Sequence, residues 1–172
     1  DFETFCHFIL PYRVSNEPLS CWRDTLRNEY RHLVMGIDDP IKAFETVYST
    51  IILQFEKTNA PEHPFVDVMA LHHSKRGTCD QRSLYIISVL RSLGIPAAYD
   101  YVPFWGNYST SNHAWASYVN NGRTFTVYGN DTIAKEFNRI DGEGFNDEGL
   151  FEHPHHQWDS VKRAPAIFRI SY

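Results

Sequence analysis

The sequence predicts an α+β fold, with helices in the N-terminal half and an antiparallel sheet after them. Three observations carry this. Apolar residues recur every three or four positions before Gly94, a cysteine opens the last of those helical stretches, and beyond Pro96 the pattern becomes strand-like alternation.

Residues 1–15 carry Phe2, Phe5, Phe8, Ile9 and Leu10 in a short apolar stretch that ends at Pro11. A helix is expected next. Pro18 suits a first helical position, and Leu19, Trp22, Leu26, Tyr30, Leu33 and Val34 follow at intervals of three and four. Asp39 then caps a second helix with Pro40 in its first turn, and Ile41, Phe44, Val47, Tyr48, Ile51, Ile52 and Phe55 form the apolar face. These two helices read as scaffold, and Thr58 to Pro64 as a loop. The polar, basic run His72-His73-Ser74-Lys75-Arg76-Gly77-Thr78 reads as a second loop, with a flexible glycine, that delivers Cys79. Cys79 to Leu93 is a helix whose apolar face comprises Leu84, Ile87, Leu90 and Leu93, widened by Ile86 and Val89, with a stop at Gly94 and Pro96 beyond.

Strands follow. Ile95 to Phe104 is the first of them, Gly106 to Asn112 is turn-like, and His113 to Val119 alternates as a strand. Asn120-Asn121-Gly122 supplies a hairpin turn, and Arg123 to Tyr128 returns. Regular signals fade from Gly129 to about Trp158. The cluster His153-Pro154-His155-His156 invites a metal reading, but with neither a CxxC pair nor an HExxH helix a solvated loop is the expectation. Ala164 to Tyr172 looks like a final strand or a lead into a further domain.

Composition narrows the class. The 172 residues are 42% hydrophobic and 22% charged, which fits one domain over 1–172 and requires no second. The chain begins with Asp1 rather than Met, so a mature form and a fragment of a longer chain are both open. A net charge of −5 gives no support to nucleic-acid binding. No run approaches the roughly 20 apolar residues that span a bilayer. Aromatic content of 15% is expected to serve core packing. Cys6 and Cys21 are either bridged, leaving Cys79 as the odd thiol, or reduced core residues.

Chemistry centres on Cys79. At a helix start the free amides and the positive end of the dipole are expected to depress the thiol pKa. A buried small hydrophobe is the bland alternative. His113, opening a strand after a polar turn, is the candidate base, and Asp131 beyond the next strand is the candidate orienting acid, with Asn130 as a neutral substitute. Asp131 reads equally as a turn residue or as a helix cap before Thr132-Ile133-Ala134. Trp115 either shields the site or packs in the core. Trp22 and Asn16 are candidate upstream oxyanion donors. Nothing here calls for a cofactor, and no calcium-ligand loop pattern is evident.

Arg76-Gly77-Thr78-Cys79 at a helix start, Leu93-Gly94-Ile95-Pro96-Ala97 after it and His113-Ala114-Trp115 on a strand together resemble the transglutaminase-like superfamily of papain-type thiol enzymes. The segment Leu10 to Pro18 also looks like that of bacterial surface or lipoprotein-associated members, which implies an extracytoplasmic location. The resemblance implies a Cys79 helix packed on an antiparallel sheet carrying His113, a catalytic triad, and amide hydrolysis or acyl transfer on a peptide or protein substrate. Members range from crosslinking enzymes to peptidases and amidases, so the fold alone does not select the substrate. The family's acid usually ends the strand after His, near Gly129, two positions before Asp131. An inactive module binding peptide or glycan, and an arylamine N-acetyltransferase-like acyl transfer, are the alternatives.

Overall fold

The computed structural model describes residues 1–58, 66–102, 113–120, 123–128, 132–133, 137–138 and 168–170. Local caps decide where several helices begin. The Asp1 carboxylate accepts the Thr4 amide at 2.7 Å and opens α1 (Phe2–Phe8). None of its residues is buried, and Phe2 is 81% exposed, so the N-terminal apolar stretch is a surface helix.

The expected helix at Pro18 starts later. α2 spans Arg23–Tyr30, and a single 3₁₀ turn, Arg31–Leu33, follows it. Side chains hold the preceding segment instead, Glu17 from within it and Arg23 and Arg91 from farther along the chain. The Glu17 carboxylate accepts the amides of Val14 at 2.7 Å and Ser15 at 2.8 Å. Arg91 donates to the Arg13 carbonyl at 2.9 Å, and Arg23 donates to the carbonyls of Ile9, Leu10 and Pro11. The Trp22 amide bonds the Ser20 carbonyl at 2.9 Å rather than reaching Pro18, so the helical ladder begins only with the Leu26 amide on the Trp22 carbonyl.

α3 (Pro40–Gln54) is capped by Asp39, which accepts the Ile41 amide at 2.9 Å, and it buries Phe44, Val47, Tyr48 and Ile51 as their spacing predicts. α4 (Val68–Ser74) takes in His72, His73 and Ser74, which the sequence reading assigned to a loop. Asp67 caps it, accepting the Met69 and Ala70 amides at 2.8 and 3.0 Å. α5 (Cys79–Ser92) runs through the core, with Ser83 to Ser92 all buried. It stops where Gly94 takes φ +78°, which lets the Ile95 amide reach back to the Leu90 carbonyl at 3.0 Å. Among the described residues, no helix is long and apolar enough to cross a membrane.

Two short strands, β1 (Glu56–Lys57) and β2 (Arg76–Gly77), pair in parallel just ahead of α5. The main sheet is antiparallel. Its strands are β3 (Ala97–Val102), β4 (His113–Asn120), β5 (Arg123–Tyr128), β6 (Thr132–Ile133), β7 (Phe137–Asn138) and β8 (Phe168–Ile170), in the order β6-β5-β4-β3-β8 with β7 also on β5. Asn120 pairs with Arg123, a register that matches the expected two-residue hairpin, although Asn121 and Gly122 themselves lie outside the described residues. One face of the sheet packs Ala97, Tyr99, Ala114, Ala116 and Tyr118 into the core that also holds α5.

Ala98, Asp100, Trp115, Ser117 and Thr124 are buried too. There Arg169 of β8 forms an ion pair with Asp100 of β3 at 2.5 Å and donates to the Thr124 hydroxyl of β5 at 2.9 Å. This one side chain ties the terminal strand to two others. Trp115 is 2% exposed, in keeping with core packing.

Candidate active site

Cys79 is the first residue of α5, and its surroundings are built from three directions. Ahead of it, the Thr78 hydroxyl accepts the Gln81 amide while the Gln81 side chain accepts the Thr78 amide at 3.0 Å, a capping box that fixes the first turn. Gly77 serves that box. A Cβ at Gly77 would lie 2.6 Å from Gln81 Oε1, so the residue is needed for close approach, and the flexible role expected of it is replaced by a place in β2.

From the sheet side, the Ser83 hydroxyl donates to the Cys79 carbonyl at 2.7 Å and to the Ala114 carbonyl at 3.0 Å, joining the first turn of α5 to β4. The Ala114 backbone also acts on the Cys79 thiol, pulling its pKa down. His113, the residue before Ala114, opens β4 opposite Val102. The fold therefore brings the His113-Ala114 main chain against the turn that carries the thiol. Asp131 and Asn130 lie outside the described residues. β5 ends at Tyr128, which pairs with Thr132 of β6, so Thr132-Ile133 is a strand.

Electrostatics at the thiol run against the expectation of a depressed pKa. Burial and the neighbouring Asp80 carboxylate push the thiol up, and they outweigh the opposing pull of the Ala114 and Asp80 amides and the Lys57 charge. Asp80 is held in place. Its Oδ1 accepts the Tyr99 hydroxyl at 2.9 Å, while its Oδ2 lies 3.7 Å from the Cys79 sulfur as acceptor. Lys57 enters because β1 sets it opposite Gly77. Of these residues Ser83 had a readable signal, lying one helical turn beyond Cys79, whereas Tyr99 and Lys57 arrive only through tertiary pairing.

Trp22 and Asn16 do not serve as oxyanion donors. Arg23 donates to the Arg91 carbonyl at 3.1 Å, and Arg91 donates to the carbonyls of Pro11 and Arg13, so Trp22, next to Arg23, and Asn16, three residues after Arg13, belong to the C-terminal end of α5. The rise of a helix puts that end on the order of 18 Å from Cys79.

A second polar cluster anchors the approach to the site. The Tyr30 and Tyr85 hydroxyls meet at 2.9 Å, His72 Nδ1 lies 3.0 Å from the Tyr85 hydroxyl, and Lys75 Nζ donates to both tyrosines, with 2.6 Å to Tyr30. Glu29 closes the set, 3.2 Å from His72 Nε2 and 3.7 Å from Lys75. Burial pushes the Tyr30 hydroxyl up to about 12. It also lowers His72, with help from the Lys75 charge.

Cys6 and Cys21 are free thiols, Cys6 half-buried and Cys21 exposed, so neither the bridged nor the shared-core expectation holds. Among the described residues no group of three metal-ligating side chains occurs, and His153, His155 and His156 lie outside them.

Residues 30–128 match the model of the transglutaminase-like superfamily. The chain belongs to that superfamily. The match includes Cys79 and His113 but ends before Asp131. A similar solved structure is the "Putative Cysteine Protease from Cytophaga hutchinsonii", 16% identical, with a TM-score of 0.58 over 74% of this chain and 42% of that one. At that identity the likeness shows the fold of this transglutaminase-like chain, which spans well under half of the other's length. No curated protein matches the chain.

Proposed function

We propose that the protein is a thiol-dependent enzyme that cleaves or transfers an amide of a peptide or protein substrate through a Cys79 thioester. One observation carries this. The Cys79 turn lies against the Ala114 main chain, one residue from His113, within a transglutaminase-like fold.

In the scheme, His113 takes the thiol proton as the sulfur bonds to the carbonyl carbon, and returns it to the leaving amine as the carbon–nitrogen bond breaks. Asp131, or Asn130, orients the imidazole. Amides at the start of α5 receive the developing oxyanion. Water then gives hydrolysis, and a substrate amine gives crosslinking. Because the thiol rests above its ordinary pKa, ionisation depends on proton transfer to the base rather than on the helix terminus alone. The Leu10 to Pro18 resemblance supports an extracytoplasmic setting, which cell fractionation of the native protein tests.

Peptide libraries containing glutamine and free amines, assayed with Cys79→Ala and His113→Ala controls, test the reading. Amine incorporation would indicate crosslinking, and released ammonia or new termini hydrolysis. Turnover that survives Cys79→Ala would overturn it, and a wild type that shows neither turnover nor a Cys79 acyl adduct with an activated peptidyl ester would favour an inactive binding module.

A further inference from the structure

We propose that Asp80 is a positioning residue for Cys79: its carboxylate, held by the Tyr99 hydroxyl, receives the thiol's hydrogen bond and keeps the sulfur protonated until the base removes the proton. The inference rests on reading Cys79 as the nucleophile.

The geometry divides the Asp80 carboxylate between two partners. Oδ1 accepts from Tyr99 at 2.9 Å, and Oδ2 accepts from the sulfur at 3.7 Å. Tyr99 is buried on β3, so the anchor reaches the carboxylate from a different element. An acidic residue in a first helical turn ordinarily stabilises the helix dipole from solvent. That role needs no tyrosine hydroxyl drawn from the sheet.

The groups facing the sulfur pull in opposite directions. From α5 comes Asp80, from β1 the Lys57 charge, from β3 Tyr99 through its bond to Asp80, and from β4 the Ala114 backbone next to His113. Lys57 and the amides favour a thiolate, while Asp80 disfavours it as a like charge. A fixed anion beside the sulfur makes the resting form a thiol, less open to oxidation than a thiolate. It also reserves ionisation for the moment when a substrate and the imidazole are both in place.

The test is the pH profile of Cys79 alkylation by iodoacetamide, read by peptide-mapped mass spectrometry so that Cys6 and Cys21 do not interfere. It is run on wild type, Asp80→Asn and Tyr99→Phe, each with and without His113→Ala. Asp80→Asn should move the inflection to lower pH in both backgrounds. The alkylation rate at pH 7 should rise roughly threefold, since more thiolate forms but each thiolate is less nucleophilic. Tyr99→Phe should move it in the same direction by less. An inflection that stays put or moves up in Asp80→Asn overturns the proposal, even if the variant loses stability, because a purely structural Asp80 would change the urea midpoint alone. Alkylation needs no turnover, so a downward shift together with activity that survives Cys79→Ala would mark failure of the nucleophile reading instead.

Discussion

Gly77→Ala is a small substitution with a large expected effect. Gly77 is absent from the residues with positive φ, so alanine meets no backbone penalty there. Sterics decide the outcome. The new Cβ would stand 2.6 Å from Gln81 Oε1 and 2.9 Å from Gln81 Cβ. The amide tip can swing away, losing the hydrogen bond to the Thr78 amide at about 1 kcal/mol. The Gln81 Cβ is fixed to the helix, so the first turn of α5 must shift, an overpacking cost of about 1–3 kcal/mol. The total is about 2–4 kcal/mol. Urea unfolding measures it against Gln81→Gly, a background that removes both contacts, where Gly77→Ala should cost less than about 1 kcal/mol. A loss below about 0.5 kcal/mol in the wild type, or the same loss in both backgrounds, would refute the reasoning.

Three further outcomes are expected. Ser83→Ala should lower stability by about 1–2 kcal/mol and, by loosening Cys79 from β4, reduce kcat by about tenfold with little change in KM, as steady-state kinetics would read. Arg169→Leu strands the buried Asp100 charge and should cost about 3–5 kcal/mol in thermal or urea unfolding. For His72 the folded pKa lies below the unfolded value, so the neutral ring stabilises the fold above about pH 6.5, and that contribution fades as pH falls below it. The stability difference between wild type and His72→Gln should therefore shrink from pH 7 toward pH 5. A difference that grows would mean that Glu29 holds an imidazolium.

Much of the scaffold was legible because its signals are local. Asp39-Pro40, the Gly94 stop and the alternation of His113 to Val119 each encode a structure within a few residues. Misreadings arose where distant side chains decide. Pro18 looked like a helix start, but the segment before it is held by the local Glu17 carboxylate and by Arg23 and Arg91, whose bonds no short sequence window contains. Trp22 seemed available to the nucleophile because nothing in the sequence says which end of α5 it packs on. Gly77 looked flexible because its true constraint is a side chain four positions later. At the site, Cys79 and the strand of His113 were readable from their motifs. The sign of the thiol shift was not, because burial and the Asp80 carboxylate, which Tyr99 fixes from β3, outweigh the helix terminus.

The central claim is that Cys79 is acylated with His113 as its base. The most direct measurement is acid-quenched, peptide-mapped mass spectrometry after exposure to an activated peptidyl ester. The account predicts an acyl adduct on Cys79 in the wild type, formation slowed at least about a hundredfold in His113→Ala, and no adduct at that position in Cys79→Ala. Equal acylation in wild type and His113→Ala, or acylation confined to Cys6 and Cys21, would contradict it.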